Sequence, residues 1–437
     1  LNAESGAEIA SARTANTTLK TPPYPHYDIE ALWSFIVGAL KDFTAAPGFD
    51  AISMTAHGAS AALLDANGDL AMPVLDYEHR YPDVVCDAYD SLRPPFSETF
   101  SPGLSGGLNV GAQIHFQKTL YPDDFARVQA ILTYPQYWAF RLTGVAANEV
   151  TSLGCHTDLW NPRTGDYSSL VDALGIRTLM APLRSAFDAL GSVLPEIAAE
   201  IGLVSAIPVY CGIHDSNASL LPHLVENEAP FAVVSTGTWV INFAVGGDLD
   251  HLDPSRDALA NVDAYGRAVP SSRFMGGREF EILKAEIGEV SPSAVDEALA
   301  AVIDRGIMLL PNVAEGSGPF PAKKRRWIGE NGASPAERQA AASLYLALMT
   351  QACLGLIGAR GLIFVEGPFA LNGAYLTALS SLTSANVIAL PGSTGTSQGA
   401  ALLTGIKPLA HTESPPIRAD LPGLEAYRQA WHRALAE

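Results

Sequence analysis

Apolar residues recur at helical spacing over residues 30–43, EALWSFIVGALKDF, where Leu32, Phe35, Ile36, Leu40 and Phe43 form one face. Residues 51–64 follow as strand, turn at His57-Gly58-Ala59, and strand, with DANGD at 65–69 as the next turn. Residues 84–117 are rich in Pro, Gly and Ser and predict loops with short helices. The pattern predicts one helix over 124–142 and two or three helices over 168–203. At the start, residues 2–6 predict a turn and 7–14 a strand leaving it. A hairpin turn needs a strand on both sides, so the expectation is that a segment precedes this one.

At IPVYCGIHDSNASLL, residues 207–221, the chain changes character: an apolar strand, Gly212, His214-Asp215, then a helix. FAVVSTGTWVINF, residues 231–243, follows with two buried strands around a turn that carries three hydroxyls. Beyond it strands and helices alternate. Helices are predicted at 276–287, 335–359, 374–383 and 398–405, and strands at 361–367 and 387–390. STGT occurs at 235–238 and again at 393–396, where Thr396 or Ser397 is expected to cap the last of these helices. This organisation predicts two domains, 1–213 and 214–437.

Length supports that division, since 437 residues exceed one ordinary core. The formal charge of −19 disfavours nucleic acid and anionic membranes as partners. No apolar run in the sequence approaches the roughly 18–20 residues that span a bilayer. The four cysteines are scattered and lack a CxxC pair, which argues against a zinc cluster or a disulfide framework and fits a cytoplasmic setting.

The candidate chemistry is polar and loop-borne. Asp215 opens a helix, where an Asp commonly acts as a cap, yet it also precedes a hydroxyl turn by about twenty residues. A carboxylate beside a bound phosphate can take a proton from an attacking hydroxyl. The turn Ser235, Thr236, Gly237 and Thr238 suits phosphate oxygens; its alternative is a Thr-rich hairpin that satisfies its own backbone. His57-Gly58 and Tyr77 lie on loops at strand ends, where binding sites form. His156 is a weaker candidate beside Cys155. There is no P-loop, no dinucleotide fingerprint and no H-E-x-x-H.

Taken in order, seven segments resemble the FGGY carbohydrate kinases of the actin-like ATPase superfamily. They are TAHGASAALLD (55–65), YWAFRLTG (137–144), CGIHDSNASLLP (211–222), FAVVSTGTWV (231–240), SRFMGGREFEIL (272–283), FVEGPFALN (364–372) and GAALLTG (399–405). The His-Gly turn is similar to that of xylulose-type kinases, and the chain as a whole resembles a divergent branch near the L-rhamnulose and L-fuculose kinases. The resemblance implies an α/β fold of two ribonuclease-H-like domains with an interdomain cleft, an N-terminal sugar domain and a C-terminal nucleotide domain. It implies ATP and Mg²⁺ as cofactors, a sugar as small-molecule partner, and a homodimer as one compatible assembly. Asp215 would be the general base and would touch the metal through water. Ser235–Thr238 would hold phosphate. Gly276, Gly277, Gly367, Pro368 and Asn372 would line the nucleotide. His57, Gly58, Tyr77, His156, His214 and Asp215 would line the sugar.

Three departures from the family pattern shape the expectations, one being that ILTYPQYWAFRLTG, residues 131–144, does not match the family's usual lysine- and tryptophan-containing signature. The family's N-terminal strand with its Asp-Gly loop has no counterpart here, so a missing first strand and near-inactivity of this exact chain are expected. The adenosine loop reads Gly367-Pro368 in place of Gly-Gly. The leading expectation is an ATP-dependent kinase of a ketose or related polyol. The alternatives are a sugar- or nucleotide-binding sensor with little kinase activity, and a weak ATPase. A glycoside hydrolase would need paired carboxylates, and no such pair accompanies a motif.

Overall fold

The computed structural model describes every residue except Ser105, 392–394, 408–414 and Glu437. The chain divides into two compact units. The first holds residues 1–226, 260–268 and the stretch around the helix Gly395–Leu402; the second holds the remainder. The helix Asp215–Glu226 therefore belongs with the first unit, whereas the sequence boundary at 213 assigned it to the second.

In the first unit the helix expected at 30–43 runs Ile29–Ala45, started by the Asp28 carboxylate, which accepts from the Ala31 amide. Residues 7–14 form no strand; no described strand runs beside them to take up their backbone groups. The helix expected over 124–142 is interrupted. Ala130–Thr133 is a strand, paired antiparallel with Ala61–Leu64, and only then does the helix Tyr134–Thr143 begin. Three apolar residues and a threonine suit either element, and the open edge of Ala61–Leu64 decides in favour of the strand.

The pairing that matters most is short. Thr55–Ala56 and Ile213–His214 run parallel, with Ile213 opposite Thr55 and His214 opposite Ala56. Gly212 precedes this pair at φ 87°, and a Cβ there would come within 2.5 Å of the Met54 carbonyl oxygen, so the close approach requires glycine.

In the second unit, a six-stranded sheet has the order Ala258–Val262, Ala268–Phe274, Val240–Val245, Phe231–Thr236, Leu362–Glu366, Val387–Leu390. Phe231–Thr236 pairs antiparallel with Val240–Val245 and parallel with Leu362–Glu366. The long Ala/Leu helix spans Pro335–Leu356, opened by a reciprocal capping box between Ser334 and Glu337. By length and composition it is apolar enough to cross a membrane, but 78% of its most apolar window is buried in the protein, as suits a core helix. The helix expected at 398–405 spans Gly395–Leu402, so Thr396 and Ser397 lie inside its first turn and not ahead of it. Thr396 Oγ1 instead meets Ser219 Oγ at 2.7 Å. Ser393 and Thr394 of the repeated STGT lie outside the described residues. None of the four cysteines is in a disulfide.

Candidate functional site: an aromatic histidine box and a clamped hydroxyl turn

Because His214 faces Ala56 in parallel register, His57 and Asp215 leave the C-terminal ends of two neighbouring strands side by side. The crevice beyond such ends is where open α/β sheets place ligands. His57 is boxed by rings, with centroids 4.9 Å from Tyr134, 5.4 Å from Tyr77 and 5.5 Å from Tyr27. Its Nε2 lies 3.2 Å from the Ser60 hydroxyl. Burial pushes its pKa down to about 4, against the opposing pull of the Asp215 carboxylate, so the ring is neutral near pH 7. Burial raises the Tyr77 phenol, with Glu78, Asp76 and Asp215 acting in the same direction.

His214 is buried, and burial lowers its pKa. Its Nε2 lies 3.1 Å from Asp215 Oδ1 and its Nδ1 lies 3.1 Å from the Asn217 amide nitrogen. One neutral tautomer satisfies both: Nε2–H donates to the carboxylate and Nδ1 accepts from the amide. The Asp215 side chain is 41% exposed, and its Oδ1 also accepts from the Ser216 amide at 2.6 Å. Gly58 packs under His214, where a Cβ would come within 3.0 Å of Nε2. His156 is at φ 41°, with Nδ1 2.9 Å from the Leu108 carbonyl oxygen. The structure thus brings His57, Gly58, Tyr77, His214 and Asp215 together. Tyr27, Tyr134 and Ser60 join them without having been singled out in the sequence; each is ordinary alone, and only the fold makes them neighbours.

The second unit carries the hydroxyl turn. Thr236 is the last residue of its strand and faces Val240 across the hairpin. Its hydroxyl donates to the Glu366 carbonyl and accepts from the Phe369 amide at 3.1 Å. That hydroxyl is committed to main chain, which is the structural alternative for this one residue and leaves Ser235 and Thr238 as the hydroxyls for a ligand. Gly237 and Thr238 are exposed and Ser235 is half-buried. Two glycines press on the turn: a Cβ on Gly277 would overlap the Gly237 carbonyl, and one on Gly367 would overlap the Thr236 carbonyl. The Arg278 amide also donates to the Thr238 carbonyl at 3.2 Å. Gly276 and Gly277 open the helix Gly276–Ile287, and the start of a helix favours an anion. Pro368 begins the turn of 3₁₀ helix after Gly367. Asn372 caps the next helix, its Oδ1 accepting from the Tyr375 amide at 3.0 Å, and its amide donates to Ser343. Arg273, unremarked in the sequence, lies over the Trp239 ring at 4.9 Å and pairs with Asp257 at 3.3 Å.

Comparison with known proteins identifies the family. Residues 1–222 match the N-terminal domain of the FGGY family of carbohydrate kinases, and residues 228–413 match the C-terminal domain of carbohydrate kinase FGGY. The chain belongs to the FGGY family. The crystal structure of a carbohydrate kinase from Novosphingobium aromaticivorans is 37% identical, with a TM-score of 0.88 over 97% of this chain and 92% of that one. A xylulose kinase from Rhodospirillum rubrum shares the fold at 18% identity, with a TM-score of 0.77 over 98% of this chain and 95% of that one. An L-fuculokinase from Escherichia coli K12 is 27% identical over 205 residues, 46% of this chain and 42% of the relative. The match thus spans less than half of that curated relative's length. The two-domain FGGY fold is the expected one.

The fit to nucleotide and metal follows from the residues present. No cluster of three or more His, Cys, Asp or Glu that could hold a metal occurs among the described residues. That suits Mg²⁺, which keeps most of its waters and binds through one or two carboxylates plus phosphate oxygens. The glycine-clamped turn suits a phosphate chain, because main chain approaches main chain with no side chain between.

Proposed function

We propose that the protein transfers the γ-phosphoryl group of ATP to a hydroxyl of a ketose or related polyol. The observation that carries this reading is the parallel register that sets Asp215, half exposed and directed by His214, beside the neutral His57 in its ring of tyrosines. Tyrosine faces and a neutral imidazole suit a sugar's C–H faces and hydroxyls.

Asp215 takes the proton of the attacking hydroxyl as the oxygen closes on phosphorus. His214 holds one carboxylate oxygen by donating from Nε2, which leaves Oδ2 to act on substrate. His57, neutral and aimed by Ser60, exchanges hydrogen bonds with sugar hydroxyls without adding charge. Ser235 and Thr238 with the turn backbone hold phosphate oxygens, and the start of the helix Gly276–Ile287 supplies further amides. Mg²⁺ would neutralise charge on the phosphates and be reached by Asp215 through water.

The names of the relatives, an L-fuculokinase and a xylulose kinase among them, support a ketose as the substrate class. The test is Mg·ATP consumption across a panel of ketoses, 6-deoxyketoses, aldoses and polyols, with a no-sugar control. Sugar-dependent ADP release is expected. Release that ignores every sugar would favour an ATPase, and nucleotide binding without any release would favour a sensor.

A further inference from the structure

Two consecutive buried residues, Asn148 and Glu149, send hydrogen bonds by separate routes to the same four-residue segment, 211–214, immediately before Asp215. Both are fully buried, as are Thr151 and Gln136, all at 0% exposure. On one route the Glu149 carboxylate accepts from the Thr151 hydroxyl at 2.5 Å and from the Thr151 amide at 3.0 Å. The Thr151 oxygen then accepts from the His214 amide at 3.0 Å. On the other route Asn148 Oδ1 accepts from the Thr133 amide at 2.8 Å and lies 3.1 Å from the Thr133 hydroxyl. That hydroxyl is 2.5 Å from Gln136 Oε1, and Gln136 Nε2 donates to the carbonyls of Cys211 at 3.0 Å and Gly212 at 3.1 Å. The Ile213 amide, between them, donates to the Met54 carbonyl at 3.0 Å. The Cys211 amide also donates to the Asp188 carbonyl at 2.9 Å, so each residue from 211 to 214 has a main-chain group held.

Burying a carboxylate this completely is costly, and Glu149 Oε1 has no partner. Filling the space with apolar side chains would hold the layers together as well. What apolar packing cannot do is fix individual amides and carbonyls, because dispersion contacts are not directional. The network fixes such groups where the chain delivers the candidate base, and it also ties the Ile131 carbonyl and the Ser152 amide. Among the described residues, Asp215 itself is held by Ser216 and His214.

We infer that Glu149 and Asn148 are positioning residues, which through Thr151 and through Thr133–Gln136 lock the backbone that presents Asp215 to the sugar hydroxyl. This rests on Asp215 acting as the base. A shift of about 1 Å in such a group reduces turnover on the order of 100-fold while leaving substrate binding largely intact.

The experiment compares Thr151→Val, Thr151→Ser and Asp215→Asn in the full-length protein. Turnover is normalised to folded enzyme, and hydrogen exchange is followed at the His214 amide. Thr151→Val is expected to lower kcat by about 10- to 100-fold with both KM values within about 3-fold. It should also speed His214 exchange, and Thr151→Ser should restore both. If Thr151→Val fails to fold, Thr151→Ala serves in its place. A lower melting temperature with unchanged kcat per folded enzyme overturns the inference, as does a serine variant no better than valine. The base assignment fails separately: turnover retained in Asp215→Asn removes it, whereas an inactive Asp215→Asn beside an unaffected Thr151→Val removes only the positioning role.

Discussion

The amide of Phe369 donates to the side-chain oxygen of Thr236 at 3.1 Å, and the same hydroxyl donates onward to the carbonyl of Glu366. One side chain thereby ties the end of the hairpin strand to the loop that follows the neighbouring parallel strand. Thr236→Val removes both bonds and leaves buried main-chain groups unpaired. Each such group costs about 1–3 kcal/mol, so the variant should melt at lower temperature and lose nucleotide affinity only in proportion to unfolding. Calorimetry beside an ADP titration measures both. A stable Thr236→Val protein that has lost ADP affinity would return this hydroxyl to the phosphate.

Thr238 should behave in the opposite way. It is exposed at the tip of the turn, so Thr238→Val should leave the unfolding free energy within about 0.5 kcal/mol of the original. Loss of one hydroxyl from a charged phosphate oxygen should weaken ATP binding by about 1.5–3 kcal/mol. Unchanged ATP affinity would remove Thr238 from the phosphate site.

Asp215→Asn keeps the shape of the side chain and the hydrogen bond from His214 but cannot take a proton. Turnover should fall by roughly 100-fold or more while sugar and ATP still bind. Single-turnover kinetics with binding measured by calorimetry separates the two effects. Turnover close to the unaltered rate would show that no general base is needed at this position.

Gly367 is at φ 76°, and a Cβ there would overlap the Thr236 carbonyl. Gly367→Ala therefore combines backbone strain with a steric clash. It should destabilise the second unit by several kcal/mol, on the order of 3 or more. Chemical denaturation followed by tryptophan fluorescence provides the check, and a variant as stable as the parent would mean the loop relaxes away from the turn without penalty.

Burial lowers the pKa of His57 from 6.5 to about 4. The unfolded chain therefore binds a proton that the folded chain refuses across that range. The stabilisation is complete above about pH 6.5 and is lost as pH falls toward 4. A shift of this size is worth about 3 kcal/mol. His57→Gln should flatten part of the decline in urea midpoint between about pH 7 and pH 4.5, and an unaltered slope would assign that acid sensitivity to other buried histidines.

Legibility in the sequence followed distance along the chain. The turn at 235–238 was visible because its strands are adjacent and almost continuously apolar, and the long helix at 335 because its pattern runs for many turns. Asp215 and His57 were each visible at strand ends, but their adjacency depends on a two-residue parallel pairing too short to leave a periodic signal. Tyr27 and Tyr134 were invisible as partners because separate elements carry them to one ring. Ala130–Thr133 was misread because its apolar residues fit a helix until Ala61–Leu64 is known to lie alongside. The hydroxyls of Thr236 and Thr238 looked equivalent in sequence, and only the position of Phe369 separates a structural tie from an exposed tip.

The turn at Gly237 is clasped from two directions by glycines whose only contribution is to have no side chain. A grip made of peptide groups is indifferent to what the surrounding residues carry. Neighbouring positions can then change their side chains while the clasp stays the same. Pro368, where the family pattern has a second glycine, sits one residue outside that clasp.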